Sequence, residues 1–405
     1  MHPSRPASEL GFDRARAVHI SEADVDAVLD VLRAGQVTGG EPEARFEEAL
    51  RGWTGSRAAI AVSSGTAGLL LAMRGAGLEE GDLVLTSPFS FVAAANAILY
   101  QRAWPVYVDV DPVTGNLDSS LAVTAIEDIV AGGKRARSWL PPAASSQPTR
   151  LRIVLPVHLF GRSADLAPIA YACRTHGIAL IEDACEALGA TYQGRSVGAW
   201  GAAGVFAFSS GKQVCIGEGG MIVTDDLDWA EQVRALRNQG RQVSDGELRQ
   251  LLLGLNFHMD AMGAALGASQ MRRLPTLIDD RARLVRRYAE NLRDVPGLSL
   301  PLLAARPDRV AWFCFPLGVE PPPTRDHLLR YLADRGVPAK LYFRPIHLQP
   351  YHRHSCGYRA GQFPIAERLG DVSLALPLVS AMGLDDVDRI CEEIYRFTTS
   401  SSFSS

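Results

Sequence analysis

Residues 204–226, GVFAFSSGKQVCIGEGGMIVTDD, place a lysine between two apolar strands. The flanking runs GVFAF and GMIVT are short and do not alternate with polar residues, which is typical of strands buried on both faces. Between them lie Lys212 and the glycine-rich run IGEGG, whose glycines allow a ligand to approach the backbone closely. Only three of the 41 basic residues in the chain are lysines. A lysine in this apolar, glycine-rich loop is therefore a strong functional candidate.

Other apolar runs extend the same pattern outward and alternate with segments that suit helices. Short buried strands are predicted at AAIAV, LVLTS, PVYVDV, IVLPV and GIALIE, all upstream of residue 204. Strands that alternate with helices predict an α/β domain with a mostly parallel sheet flanked by helices and with right-handed crossovers.

The sequence pattern changes near residue 275, where apolar residues at helical spacing among many charged residues predict a long amphipathic helix. We predict a large domain at residues 18–275 and a smaller α+β C-terminal domain at residues 276–397. The Ala-, Pro- and Ser-rich residues 131–150 are interpreted as a flexible insertion, and residues 398–405 as a disordered tail.

Composition excludes several classes of function. The chain has 405 residues, of which 47% are hydrophobic and 21% charged, as in ordinary globular proteins. Its formal net charge of −4 provides no basic field for nucleic acid. No apolar run is long enough to span a membrane, no signal peptide is recognisable, and six scattered cysteines suit a reducing compartment, so a cytoplasmic protein is expected. His352 and His354 lack a matching carboxylate, and no metal site is predicted.

Three segments carry candidate chemistry. In the run AIAVSSGTAGLLLAM, a strand ends at a small turn with Gly65 and Thr66 and a helix begins at once, which favours phosphate binding, although ordinary helix capping gives the same pattern. In GIALIEDACEALGA, a strand delivers Asp183 to its carboxyl end, where a carboxylate can keep a ligand nitrogen protonated, or can simply cap a helix. Burial of Lys212 would favour the neutral amine that a Schiff base needs, whereas a solvated loop lysine is the alternative.

Together these three parts meet the requirements of a pyridoxal phosphate site. The lysine binds the coenzyme's aldehyde, the carboxylate holds the ring nitrogen protonated, and the turn anchors the phosphate.

The chain resembles the DegT/StrS family of sugar aminotransferases, within the type I fold of pyridoxal-phosphate-dependent transferases. The resemblance covers about residues 18–397. It rests on eight ordered motifs, which are SGTAG, SFVAAANAI, PVHLFG, IEDACEALGA, FAFSSGKQVCIGEGG, GLNFHMDAMGAALGASQ, RPIHLQPYHR and LALPL.

The resemblance implies a role for each matching residue. Lys212 and Asp183 would be the catalytic pair, and Asp183 would also bind the coenzyme. The further implied residues are Gly65 and Thr66 at the phosphate, Phe91 stacking on the coenzyme, Glu186 near its ring oxygen, Asn256 reaching the phosphate from a neighbouring subunit, and His347 and His258 at the substrate. Ser209 or Ser210 would bind the phosphate in place of the serine that many relatives have at position 207.

Three positions depart from the family pattern. Ala207 replaces a serine that many relatives use on the phosphate, His258 stands where arginine is common, and Glu186 replaces the usual Gln or His. A second carboxylate beside Asp183 could raise the pKa of one of the two groups or pair with an arginine.

The resemblance implies a homodimer with shared active sites that moves an amino group from glutamate or glutamine to a keto sugar nucleotide or keto cyclitol. Two alternatives remain at this stage. One is a deoxysugar dehydratase of the same family, which has histidine in place of the lysine. The other is a non-catalytic, coenzyme-binding regulatory protein.

Overall fold

A seven-stranded sheet forms the centre of the large domain. The computed structural model describes residues 18–144, 150–244, 247–300 and 308–399. The sheet order is β1-β9-β8-β5-β4-β2-β3, and only β9 runs antiparallel to its neighbours. Its strands are β1 Ala58–Val62, β2 Leu83–Thr86, β3 Trp104–Tyr107, β4 Leu151–Leu155, β5 Ala179–Asp183, β8 Ala203–Ala207 and β9 Gly220–Thr224. All seven correspond to the apolar runs predicted from the sequence.

Helices pack on both faces of this sheet and continue into the C-terminal part of the chain. Separate apolar clusters fill the two faces, one including Phe46, Phe206 and Met221 and the other including Ile60, Val205 and Ile222. The helices are α1 Glu22–Ala34, α2 Glu41–Thr54, α3 Gly65–Gly75, α4 Ala93–Tyr100, α5 Ser119–Ala131, α6 Gly133–Trp139, α7 Leu166–His176, α8 Leu227–Arg237, α9 Ala261–Met271, α10 Leu274–Leu292, α11 Pro322–Asp334, α12 Pro350–Cys356, α13 Pro364–Val372 and α14 Leu384–Thr399.

The C-terminal part has its own antiparallel sheet, with strand order β12-β13-β15-β14. Helices α10, α11 and α14 cover it around a core that includes Tyr288, Phe315 and Ile394. The strands are β12 Leu298–Ser299, β13 Phe315–Val319, β14 Lys340–Leu341 and β15 Ser373–Leu376, and the small hairpins elsewhere are β6 Thr191–Tyr192 with β7 Arg195–Ser196 and β10 Arg241–Ser244 with β11 Glu247–Gln250.

Part of the segment interpreted as a flexible insertion is folded. Helix α6 and a short 3-10 turn at Pro142–Ala144 occupy it, while residues 145–149 lie outside the described residues. Trp139 Nε1 donates to Asp128 Oδ2 at 3.0 Å, and Ala136 and Ala144 are buried. These contacts explain why a sequence without helical periodicity adopts a defined structure. Of the predicted tail at residues 398–405, residues 398 and 399 close α14 and the rest lie outside the described residues.

A further apolar cluster joins the two sheets. It brings Phe89 and Phe160 of the large domain together with Cys314 and Tyr342 of the C-terminal part. The cavity described below lies beside this junction. Among the described residues, no helix combines the length and the apolarity that crossing a bilayer requires.

Candidate active site

A cavity of about 800 Å³ opens at the carboxyl ends of the central strands, and both Lys212 and Asp183 line it. Strand β5 ends at Asp183, and its parallel neighbour β8 ends at Ala207, five residues before Lys212. Parallel strands present their carboxyl ends at one edge of a sheet, which is where open α/β sheets bind ligands. The two side chains that the sequence singled out therefore share one cavity.

Lys212 is held in a largely enclosed setting. Its side chain is 11% exposed, and its Nζ lies 4.0 Å from Glu186 Oε1. The same nitrogen lies 4.0 Å from the centre of the Phe313 ring, a cation–π distance. The loop is fixed by its backbone, because Lys212 N donates to Ser209 O at 3.1 Å. The amine is thus presented to the cavity between a carboxylate and an aromatic face.

Asp183 is positioned by two backbone hydrogen bonds to the segment that follows β4. Its N–H donates to Pro156 O, and its carbonyl accepts from His158 N, both at 2.9 Å. Asp183 Oδ1 accepts from Cys185 N at 3.1 Å, and the residue is 7% exposed. The carboxylate therefore has a fixed orientation at the cavity wall.

A buried polar network stabilises the strand end just behind Asp183. Glu182 accepts hydrogen bonds from the backbone N–H groups of Gly198, Trp200 and Gly201, at 2.7, 2.6 and 3.0 Å. His158 Nε2 lies 3.0 Å from the same carboxylate, and its Nδ1 accepts from Ala164 N at 3.1 Å. Nδ1 is thus the acceptor, so Nε2 carries the proton and donates to Glu182. His158 and Glu182 are both fully buried, which gives them a structural role.

The turn that begins α3 presents free donors to the cavity. Ser64 caps the helix, with its Oγ accepting from Ala67 N at 3.1 Å. No described residue accepts a hydrogen bond from the N–H of Gly65 or Thr66, and both residues line the cavity. A Cβ on Gly65 would lie 2.7 Å from Ala207 Cβ, so only glycine allows the turn to approach β8 this closely. The turn therefore has the geometry of an anion-binding site, and no acidic group among the described residues occupies it.

Glu186 forms a buried cluster with Lys212 and Tyr342. Its Oε2 accepts from Phe160 N at 3.0 Å and from the Tyr342 hydroxyl, while Oε1 faces Lys212. Burial raises the pKa of Glu186 above its usual range, although the charge of Lys212 and the two hydrogen bonds act in the opposite direction. Burial likewise raises the pKa of the Tyr342 hydroxyl, with Glu186 adding to the effect.

This raised pKa predicts a pH-dependent effect of Glu186→Gln on stability. The folded protein holds a proton on Glu186 at pH values where the unfolded chain has lost it, so the free energy of unfolding falls as pH rises through the raised pKa. Glutamine has no such proton to lose. We expect the melting temperature of Glu186→Gln, minus that of wild type, to become more positive between about pH 5 and about pH 8.

Thermal unfolding of the coenzyme-free proteins across this range measures the difference. Glu218→Gln, which removes an exposed carboxylate from the same cavity, controls for the loss of one negative charge. A difference that stays constant or shrinks as pH rises would contradict the burial argument.

The remaining predicted coenzyme contacts, Phe91 and Ser209, also line the cavity. Phe91 lines the cavity, is 58% exposed and lies 5.7 Å from the Phe343 ring, measured between centroids. Ser209 and Ser210 also line the cavity, as does Ala207. Two hydroxyl groups thus line the cavity near Ala207, the position where the resemblance implies a serine.

Three predicted residues lie away from this cavity in the described part of the chain. Asn256 and His258 are exposed, on a segment that does not line it. His347 is buried instead, with its Nε2 3.0 Å from Glu367 Oε1 and its ring against Phe363. Burial lowers the pKa of His347, an effect that Glu367 opposes.

Sequence reasoning missed several residues that shape the site. Tyr342, Phe313 and Lys340 all line the cavity, although they follow residue 275. Tyr342 directly follows β14, and nothing in its local sequence marks its hydroxyl as a partner of Glu186. The scarcity of lysine was the one signal in the sequence that could have drawn attention to Lys340.

Comparison with known proteins assigns this arrangement to a family. The family model described as the DegT/DnrJ/EryC1/StrS aminotransferase family matches residues 18–395. The chain belongs to this family. A relative, the GDP-perosamine synthase of Caulobacter vibrioides, is 33% identical over 388 residues, which cover 95% of this chain and 97% of that protein.

Solved structures agree with the family assignment. The aminotransferase TlmJ from Streptoalloteichus hindustanus matches with a TM-score of 0.83 and 30% identity, covering 96% of this chain and 98% of that one. DesI, solved in the presence of its TDP-sugar product, matches with a TM-score of 0.80 and 31% identity, covering 96% of this chain and 94% of that one.

This member of the DegT/DnrJ/EryC1/StrS family therefore has the type I fold of pyridoxal-phosphate-dependent transferases, as the sequence predicted. It is an aminotransferase of a family that acts in sugar biosynthesis. The dehydratase alternative is not favoured, because the relatives are sugar aminotransferases and position 212 is lysine.

Proposed function

We propose that this aminotransferase uses pyridoxal phosphate to transfer an amino group from glutamate or glutamine to a keto sugar nucleotide or keto cyclitol. The single observation that carries the proposal is the shared cavity of Lys212 and Asp183. An amine and a carboxylate in one cavity, together with N–H donors that no described residue accepts from, are the groups that a phosphorylated pyridine aldehyde requires.

The residues around the cavity fit this coenzyme. The free N–H groups of Gly65 and Thr66, with the hydroxyl of Ser209, would hold the phosphate. Asp183 would accept a hydrogen bond from the protonated ring nitrogen, and the exposed ring of Phe91 would cover one face of the coenzyme.

Lys212 is the residue proposed to hold the coenzyme covalently through its aldehyde. When bound, the coenzyme supplies an electron sink that stabilises negative charge at the substrate carbon bearing nitrogen. Lys212 Nζ would then move a proton to and from that carbon as general base and general acid. Its enclosure beside Phe313 and Glu186 limits water around the amine.

Glu186 would lie beside the bound coenzyme, next to Lys212. Its Oε1 faces Lys212, while Phe160 and Tyr342 hold the opposite oxygen. A carboxyl group with a raised pKa can donate a hydrogen bond as well as accept one. The amide of glutamine likewise donates and accepts, so Glu186 can stand where the resemblance implies glutamine or histidine without changing the class of reaction.

A homodimer with shared active sites is also proposed. Asn256 and His258 are exposed and do not line the cavity of their own chain, which supports a contribution to the cavity of a second copy. Leu253 and Leu255, just before Asn256, are 81% and 41% exposed. Val25, Leu29 and Leu32 form another exposed apolar stripe, on α1. Apolar surface of this kind is typical of protein contacts.

A substrate screen tests the proposed function. The purified protein, loaded with pyridoxal phosphate, is mixed with glutamate or glutamine and with a panel of keto sugar nucleotides and keto cyclitols. We expect an amino product, detected by mass spectrometry, together with the keto acid of the donor in equal amount. Binding of the coenzyme without release of any keto acid would instead favour the regulatory alternative.

A further inference from the structure

Arg281 is a buried arginine whose guanidinium contacts the backbone of the lysine loop. It lies on α10 and is 1% exposed. Its Nη2 donates to the carbonyl oxygens of Gly211 and Lys212, at 2.9 and 2.8 Å. Nothing in the sequence motifs marks this residue, because a charged side chain on an amphipathic helix is expected to face solvent.

The same guanidinium reaches three more carbonyl groups in other parts of the chain. Its Nη1 donates to Trp312 O at 3.2 Å, to Phe313 O at 3.1 Å and to Leu378 O at 2.9 Å. Residues 312 and 313 lead into β13, and Leu378 follows β15. One side chain therefore joins the loop that carries Lys212, the segment that leads into β13 and the segment that follows β15.

The charge on Arg281 has no carboxylate partner among the described residues, and Nε has no hydrogen-bond acceptor there. Burial lowers its pKa to about 10, so the group stays protonated at neutral pH. A buried cation is costly unless polar groups compensate it. Five carbonyl dipoles provide that compensation, and this requirement fixes their positions relative to one another.

These contacts fix both the loop that carries the reactive amine and the aromatic residue beside it. Arg281 holds the backbone of Lys212 and also the backbone of Phe313, whose ring lies 4.0 Å from Lys212 Nζ. Displacing the guanidinium would release the loop and the ring together. Misplacement of a reacting group by about 1 Å can cost about 100-fold in rate.

We propose that Arg281 is a positioning residue that sets the place of the Lys212 amine and couples it to the C-terminal domain. It touches neither the cavity nor a substrate, and acts through the carbonyl groups of residues 211, 212 and 313. The inference rests on the proposed function, since it assumes that Lys212 binds the coenzyme's aldehyde.

The variants Arg281→Met and Arg281→Lys test this role. Methionine fills much of the volume without donors. Lysine keeps the charge but cannot reach five carbonyl groups. Arg325→Met is the matched control, because Arg325 is also buried, with 8% exposure, and donates to carbonyl groups of Gly370 and Ser373, away from the cavity.

Each protein is incubated with pyridoxal phosphate and reduced with borohydride at set times. Mass spectrometry of the peptide that contains Lys212 then gives the rate at which the coenzyme becomes attached there. Thermal unfolding, kcat and KM are measured in parallel. For Arg281→Met we expect attachment and kcat to fall about 10- to 100-fold, with smaller changes in KM. Arg281→Lys should be intermediate in both.

Arg325→Met should lower the melting temperature but change attachment and kcat by less than about threefold. The positioning role is overturned if Arg281→Lys, or Arg281→Met where it folds, attaches the coenzyme and turns over as fast as Arg325→Met. A purely structural arginine would give that result. If wild type fails to attach the coenzyme at Lys212, the proposed function itself fails, which is a distinguishable outcome.

Discussion

Replacing Lys212 by alanine is expected to abolish amino transfer, with a loss in kcat of at least about 10⁴-fold. The substitution removes the amine that lies 4.0 Å from Glu186 and from the Phe313 ring. Lys340 is the only other lysine that lines the cavity in the described residues, and it is exposed. Release of keto acid from the donor, followed in a coupled assay, measures the loss.

Two further variants separate chemistry from charge and from folding. Lys212→Arg keeps a positive charge but offers no neutral amine at pH 7, so it should be as inactive as the alanine variant. Lys134→Ala removes an exposed lysine on α6 and should leave kcat unchanged. Turnover by Lys212→Ala at near the wild-type rate would remove this lysine from its proposed role.

Most of the large domain could be predicted from the sequence because its strands are buried on both faces. Such strands are apolar at every position, as in AAIAV and GMIVT, and their burial is complete in the structure. The turn at Gly65 and the strand end at Asp183 could also be predicted, because each depends on residues adjacent in the chain. Local pattern was therefore sufficient for these parts.

Other parts depend on contacts between distant segments and could not be predicted from local pattern. The hydrogen bond between Tyr342 and Glu186 joins residues 156 positions apart, and Arg281 contacts Lys212 from 69 positions away. Helix α6 within residues 131–150 depends on Trp139 reaching Asp128, not on periodicity. In each case the deciding interaction is tertiary.

The family resemblance placed some residues that the cavity of one chain does not contain. Asn256 and His258 are exposed, and His347 is bonded to Glu367. A motif match assigns a residue to a position in the fold, but it does not say which cavity that position faces. For Asn256 and His258 the proposed answer is the cavity of a second copy of the chain.

Asp183→Asn is expected to lower kcat about 10³-fold, equivalent to about 4 kcal/mol of transition-state stabilisation. Asparagine is nearly the same size and retains the oxygen that accepts from Cys185 N, so the strand end should keep its structure. It has no charge with which to keep a ring nitrogen protonated, and the coenzyme then withdraws electrons less strongly. The melting temperature should change little, and kcat at saturating donor and acceptor gives the effect.

Glu186→Gln is the matched control for Asp183→Asn, because it removes a second carboxylate from the same cavity. Glutamine can still accept from Phe160 N and from the Tyr342 hydroxyl, so kcat should fall by less than about tenfold. The contrast between the two amide variants isolates charge at the end of β5 from charge in the cavity generally. Equal losses in both, or a rate within about threefold of wild type for Asp183→Asn, would exclude Asp183 as the partner of the ring nitrogen.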